Sequence, residues 1–273
     1  MASTVVHDQV AARPPSAPSR VWRVVEANAR VYKRVWRGSV ASTFLIPLLY
    51  LAAMGMGLGT LVDDTGTGDL DGLRYIEFLA PGLMAAAAMQ TGAGEGSFVV
   101  FAGIKWRRTY HAILSTPVTV PELVLGHLGW AGIRVLMTTG AFAVVSVVLG
   151  VLSPVQALAA VLPATVTGIA FTAGVTAYSS NLDDDQGLPA LFRFGIVPMF
   201  LFSGTFFPVS QLPDWIEPLA AVTPLWHGVE LSRAWAFGTA PAWPVVLHVG
   251  VLVLVLVMGT FLAFRTFATK LQP

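Results

Sequence analysis

The sequence predicts an all-α polytopic membrane protein: six transmembrane helices, an N-terminal amphipathic interfacial helix, and a re-entrant segment before the last helix. Three observations carry this. The 273-residue chain is 55% hydrophobic and 11% charged, with a mean hydropathy of +0.70, too apolar for a soluble domain of its size. Six apolar stretches reach the roughly 20 residues that a helix needs to cross a bilayer. A very apolar run, Met199 to Phe207, stops at Pro208 and is followed by Pro213, Pro218 and Pro224, with Trp215, Leu219 and Leu225 between them. A span that gives way to proline-broken apolar pieces reads as a helix plus a re-entrant or interfacial segment. Irregular backbone at that depth persists only where it is buried in protein or lines a wet cavity, so this element also points to a transport path.

Residues 1–19 are polar and hold Pro14, Pro15 and Pro18. With no apolar core before a cleavage site, they read as a disordered cytoplasmic tail rather than a signal peptide. From Arg20 to Arg37, Trp22, Val25, Ala29, Tyr32 and Trp36 recur at spacings of three and four beside a stripe of Arg20, Arg23, Arg30, Arg34 and Arg37. A basic amphipathic helix with tryptophans on its apolar face lies in the membrane interface; the alternative is a plain extension of the first span. The spans run over 39–62, 75–101, 119–150, 155–180, 187–208 and 242–267. Gly and Pro interrupt the fourth and fifth. Between the second and third, residues 103–117 form a short basic, aromatic loop in which Trp106, Tyr110 and Ile113 are placed to bury on one side. It reads either as a docking helix for a cytoplasmic partner or as a loop held at anionic headgroups by its charge. Residues 209–235 form the re-entrant, extracytoplasmic segment.

Lysine and arginine set the orientation. Arg13, Arg20, Arg23, Arg30, Lys33, Arg34 and Arg37 precede the first span. Lys105, Arg107 and Arg108 lie between the second and third, and Arg265 and Lys270 close the sixth. The opposite side has Arg74 and Arg233 among Asp63, Asp64, Asp69, Asp71, Asp214, Glu217 and Glu230. Both termini are therefore expected in the cytoplasm. The Asp183-Asp184-Asp185 turn then faces the same way and reads as a cap on the fifth span.

Several classes are excluded. A net charge of +1 argues against nucleic acid, and the absence of cysteine removes disulfides, thiol nucleophiles and cysteine-ligated zinc. The five histidines, His7, His111, His127, His227 and His248, show no metal-ligand spacing. No Gly-x-x-x-x-Gly-Lys-Ser/Thr motif occurs, so the chain binds no cofactor of its own, and any ATP hydrolysis belongs to another chain.

Ionisable residues inside spans are functional candidates. Glu95 stands near the end of the second span and His127 near the start of the third. These neighbours are antiparallel, so the two residues are expected to meet or share a water. Arg134 lies deeper and reaches Gln90, a partner chain or water. The set either pins the hairpin or transmits movement along it, with pinning favoured for Glu95 and His127. Phe200, Phe202, Phe206 and Phe207 crowd the end of the fifth span, with Ser203 and Gly204 allowing close approach. A path so poor in fixed charge suits an amphiphilic or lipid-linked cargo better than a small ion, which needs coordinating groups.

The stretches Tyr75-Ile-Glu-Phe-Leu-Ala-Pro-Gly-Leu83, Leu123-Val-Leu-Gly126 with Trp130-Ala131, Pro198-Met-Phe-Leu-Phe-Ser-Gly-Thr-Phe-Phe-Pro208, Leu212-Pro213 and Thr223-Pro-Leu-Trp-His227 follow one another across the spans. In that order and spacing the chain resembles the ABC-2 type exporter permeases, closest to those for nodulation factors, lipo-oligosaccharides and antibiotics. The resemblance covers residues 20–268. It implies a second permease copy, identical or paralogous, and a cytoplasmic ABC ATPase subunit that carries ATP and magnesium. It makes Ile104, Lys105, Trp106, Arg107, Arg108, Tyr110 and His111 the coupling element and Arg20–Arg37 the elbow helix. Pro208–Arg233 becomes paired re-entrant half-helices, with Phe200, Phe202, Ser203, Phe206 and Phe207 lining the path or its gate. The setting it implies is a bacterial cytoplasmic membrane. The rival classes are an ATP-independent transporter or channel and a non-transporting membrane anchor. Secondary transporters often repeat a broken helix in both halves, and here only the second half has one.

Overall fold

The computed structural model describes residues 16–59, 61–62, 70 and 72–271. The tail expectation for residues 1–15, and the acidic residues Asp63, Asp64, Asp69 and Asp71, lie outside the described residues. Among those described, every regular element is a helix. In chain order they are α1 (Ala17–Ala52, continued by a π-helical segment Ala53–Gly59), α2 (Tyr75–Gly96), α3 (Thr109–Leu114), α4 (Val120–Val148), α5 (Pro154–Asn181), α6 (Gly187–Phe202, with π turns Phe192–Ile196), α7 (Glu217–Val222), α8 (Pro224–Phe237) and α9 (Val245–Leu271).

Four of these are long and apolar enough to cross a membrane: α1 with its π-helical continuation, α4, α5 and α9. The predicted second span is α2, which ends at Gly96. The chain bends at Ser97 and continues through a turn at Phe98–Phe101 into a π-helical turn at Ala102–Trp106. Helix α2 is rich in Ala, Gly and Met in its second half and is buried over most of its length. The predicted fifth span is α6, and it stops at Phe202 rather than at 208. Gly204 adopts φ +76° there, a left-handed conformation that ends the helix at little steric cost.

Helix starts follow local chemistry. At α5, Ser153 Oγ accepts from Gln156 N while the Gln156 side chain accepts from Ser153 N, with Pro154 at the first helical position; this reciprocal pair satisfies two orphan donors. Glu122 does the same for Thr119 at α4, and Glu77 for Arg74 at α2. At α8, Thr223 Oγ1 accepts from Trp226 N, and Gly238 at φ +68° closes the helix.

Helix α5 is the hub and packs on α2, α4, α8 and α9. Small residues set these distances. A Cβ at Gly92 of α2 would sit 2.0 Å from the Gly168 carbonyl oxygen of α5, and one at Gly259 of α9 would sit 2.6 Å from Gly174 N. Between apolar helices in lipid, such close backbone approach replaces the hydrophobic effect as the source of attraction.

The first helix corrects two expectations. Helix α1 begins at Ala17, so residues 17–19 are helical rather than tail. It also runs unbroken through Gly38, so 20–37 is not a separate elbow helix but an extension of the first predicted span. The reason is packing: Val24 and Val25 are buried against α4, where a Cβ at Gly126 would meet Val24 at 2.5 Å. Trp22 and Trp36, assigned to the apolar stripe, are exposed.

Candidate functional site

One end of the bundle gathers the charged turns. Ile104 and Tyr110 are buried and fix the chain between α2 and α4. Lys105 is half-buried, while Trp106, Arg107, Arg108 and His111 face outward, Trp106 at 58% exposure. The expected burial of Trp106 beside Tyr110 and Ile113 is therefore corrected. The helix does not run through 103–117: Arg108 takes φ 51° and breaks it, so the short α3 starts only at Thr109. That break turns Trp106 out, where its ring stands edge to face with Phe101 at 5.4 Å. Gly103 permits the fold-back, since a Cβ there would lie 2.7 Å from the Tyr110 ring.

The same end is tied together by ion pairs. Asp183 Oδ1 accepts from Lys105 Nζ at 3.2 Å and Lys270 Nζ at 2.8 Å, and the two ammonium groups, Lys270 first, hold its carboxyl below the usual range. This pairing joins the basic turn after α2, the α5–α6 turn and the end of α9. Asp184 Oδ1 accepts from Gln186 N within the turn, whereas the N-cap of α6 is Gln186 and makes no side-chain cap bond, so the Asp run orders the turn rather than capping the helix. Arg20 forks onto Glu122, with Nε at 2.9 and 3.0 Å and Nη2 at 2.6 Å, and pins the start of α1 to that of α4. Sequence reasoning missed this pair; the basic residue was assigned to the headgroups.

Glu95 and His127 do meet, but through the backbone of Glu95 and not its carboxylate. Glu95 Oε1 accepts from Arg134 Nε at 3.1 Å, and Arg134 also donates to Ser39 Oγ at 3.0 Å and lies 4.5 Å over the Tyr32 ring. His127 Nδ1 instead lies 3.4 Å from the Tyr110 hydroxyl. The cause is register. Thr91 and Thr138 pair at 3.1 Å, so one turn further along α2 Glu95 comes level with Arg134. His127 is seven residues from Arg134 along α4, about 10 Å, so it meets Tyr110 and the Glu95 backbone rather than the Glu95 carboxylate.

At the opposite end, Phe200 packs edge-on against Phe206 at 5.0 Å and Tyr50 at 6.2 Å. Phe202 is exposed, while Phe206 and Phe207 are half-buried. Ser203 is buried and shares a hydrogen bond of 2.7 Å with Thr223; it fastens the end of α6 to the start of α8 and does not line open space. Arg233, read in sequence as an outer loop charge, is 8% exposed. Its guanidinium lies 3.7 Å over the Phe78 ring and donates to the carbonyls of Phe78 and Gly204 and to Glu230. The spacing of Glu230 and Arg233 inside an apolar helix was the available signal. His227 and His248 also come together, Nδ1 to Nδ1 at 2.8 Å, beside Trp226 and Trp243. Among the described residues no group of three His, Cys, Asp or Glu could hold a metal.

Residues 20–237 match the family described as ABC-2 type transporter. The chain is 32% identical over 253 residues to nodulation protein J of Rhizobium meliloti, spanning 93% of both chains. It is 34% identical over 246 residues to nodulation protein J of Sinorhizobium fredii, spanning 89% of both. Against the inner membrane transport permease YadH of Escherichia coli the identity is 26% over 231 residues, 83% of this chain and 86% of that one. The family match runs from α1 through α8, and the chain therefore belongs to the ABC-2 type transporter family, as the membrane permease of an exporter whose ATPase is carried by a partner subunit.

Proposed function

We propose that this permease spans the inner membrane six times with both termini in the cytoplasm, pairs with a second permease copy, and moves an amphipathic cargo outward. A lipid-linked saccharide is the cargo class that fits the likeness to the nodulation J proteins. The observation that carries the reading is the docking turn. Its backbone is anchored by buried Ile104 and Tyr110, while Trp106, Arg107, Arg108 and His111 are left outward, unburied by the chain itself. An exposed tryptophan flanked by arginines on a rigid turn has the composition of an interface anchor. Its partner in this reading is the ATPase, which supplies ATP and magnesium. Closure of two ATPases would pull on Ile104 and Tyr110, and through Tyr110 on His127 in α4. Lys105 and Asp183 would carry the same movement to α6 and α9. The path runs between the two copies of α1, α2 and α6, with Phe200, Phe206 and Tyr50 as an apolar constriction.

Reversing two charges tests this. Arg107→Glu with Arg108→Glu should weaken retention of the ATPase roughly tenfold or more and separate ATP hydrolysis from export, with membrane insertion unchanged. Full export by the double variant would remove the docking role.

A further inference from the structure

The outer end of the bundle holds a cavity of about 530 Å³ that the coupling and path residues do not use, within the roughly 300–1,000 Å³ range of small-molecule sites. Its walls come from three places: Phe78 at the start of α2, the segment Pro208–Ala221, and the stretch from Trp226 to Trp243. Helix α2 has 22 residues, about 33 Å of length, and the cavity adjoins its first turn, at the end away from the docking turn. That is the side from which an exported cargo leaves.

We propose that this cavity is a subsite for a neutral oligosaccharide head, which it holds as the cargo leaves the membrane. The proposal rests on the exporter reading above and adds the chemical class recognised at the exit. Three features select that class. First, Trp243, 42% exposed and held edge to face on buried Trp226 at 4.9 Å, gives the cavity an aromatic surface for the C–H face of a sugar ring, while Ser210, Glu217 and Thr239 bring hydroxyl and carboxylate groups to the same walls. Second, the cation of the site is already engaged. Arg233 bonds to two backbone carbonyls, Glu230 and the Phe78 ring, and Glu230 also accepts from Ala242 N at 3.2 Å. A phosphate or carboxylate ligand would have to break this network, whereas a polyhydroxyl ligand needs only hydrogen-bond partners. Third, an acyl chain has a better groove elsewhere: Phe44, Leu45, Leu48, Val144 and Val148 between α1 and α4 line a wholly apolar one. The polar cavity at the exit is left to the head of an amphiphile.

The test is equilibrium binding to the intact permease–ATPase complex in lipid nanodiscs, without ATP, by isothermal titration. The probes are maltotriose, cellotriose and the trimer of N-acetylglucosamine, with choline and inorganic phosphate beside them. Saturable binding of at least one trisaccharide is expected, weakened roughly tenfold or more by Trp243→Ala and by Glu217→Gln and restored in part by Trp243→Phe. Trp243 and Glu217 are both exposed, so neither change threatens the fold, and Val246→Ala on the exposed face of α9 should bind as wild type does. Binding of choline or phosphate with no trisaccharide binding would overturn the proposal. So would the absence of binding by any probe, or sugar binding that neither variant alters. Failure of the exporter reading shows separately, as no ATP-dependent movement of a fluorescent lipid-linked saccharide by the wild-type complex, and leaves the binding result standing.

Discussion

Arg134 and Glu95 meet where α1, α2 and α4 converge, and both are mostly buried, with side-chain exposures of 17% and 15%. Two opposite charges withdrawn from water hold each other chiefly because neither tolerates being alone there. Arg134→Ala should therefore lower stability by roughly 3 kcal/mol, since Glu95 loses its charged partner and Ser39 and Tyr32 lose a neighbour. Replacing both charges, Glu95→Gln with Arg134→Met, should restore most of that loss. Thermal unfolding of the three proteins in one detergent decides the matter, and an Arg134→Ala protein as stable as wild type would show the pair to be idle. The same logic separates the other polar contacts. Ser203 to Thr223 is a neutral hydrogen bond between two elements, whereas Asp183 is exposed and its two lysines act mainly by position.

The second half of α2 shows what an element can do with few large side chains. Leu, Ile or Phe at its centre would face α5 with no room. Gly92 is opposed by the Gly168 carbonyl and the Thr172 hydroxyl, and Gly96 by the Thr172 carbonyl and Thr176 N. Both belong to backbone or stiff β-branched residues that cannot step aside. Gly92→Leu should force α2 and α5 apart and cost about 3 kcal/mol, the upper part of the range for overpacking, seen as a lower melting temperature and faster proteolysis of the α2–α4 connection. Gly94→Ala is the matched control, because a Cβ there meets nothing within 4 Å. If Gly92→Leu melts like the control, the close approach is not what holds the two helices. The proline-broken stretch is likewise an element with a purpose: Thr223 and Pro224 start α8, and α8 is mostly buried against α5 and α2. Its prolines mark boundaries rather than disorder.

For the whole molecule, the informative surface is the one left apolar. Leu201, Phe202, Leu45, Leu48 and many residues of α9 are exposed, as expected of a chain whose solvent is lipid or another subunit. The proposed seam between two copies passes along α1 and α6. Because the chain has no cysteine, Phe202→Cys gives a single thiol at that seam. Mild oxidation in native membranes should convert a large fraction to a cross-linked dimer, while a cysteine at Val246 on α9 should not cross-link. A monomer in both cases would move the partner surface away from α6.

Composition and periodicity alone established that the chain is helical and membrane-bound, that its basic residues gather at particular turns, and that a proline-broken segment precedes the last helix. These are one-dimensional properties: apolar length sets whether a helix can span, and a proline or a capping box acts within a few residues of itself. The basic turn between α2 and α4 was legible for the same reason, since Lys105 to Arg108 is a local cluster. Tertiary structure decided the rest. Whether the Glu95 carboxylate meets His127 or Arg134 depends on the register between two helices, which no spacing along the chain sets. Whether Arg20–Arg37 lies apart or joins the first span depends on Val24 and Val25 finding Gly126, a hundred residues away. Arg233 on Phe78, and His227 beside His248, are contacts between distant segments that no spacing along the chain announces. Helix packing fixed them, because close contacts between helices are set by which small residues allow two backbones to approach, and that choice is made only when all the helices are in place.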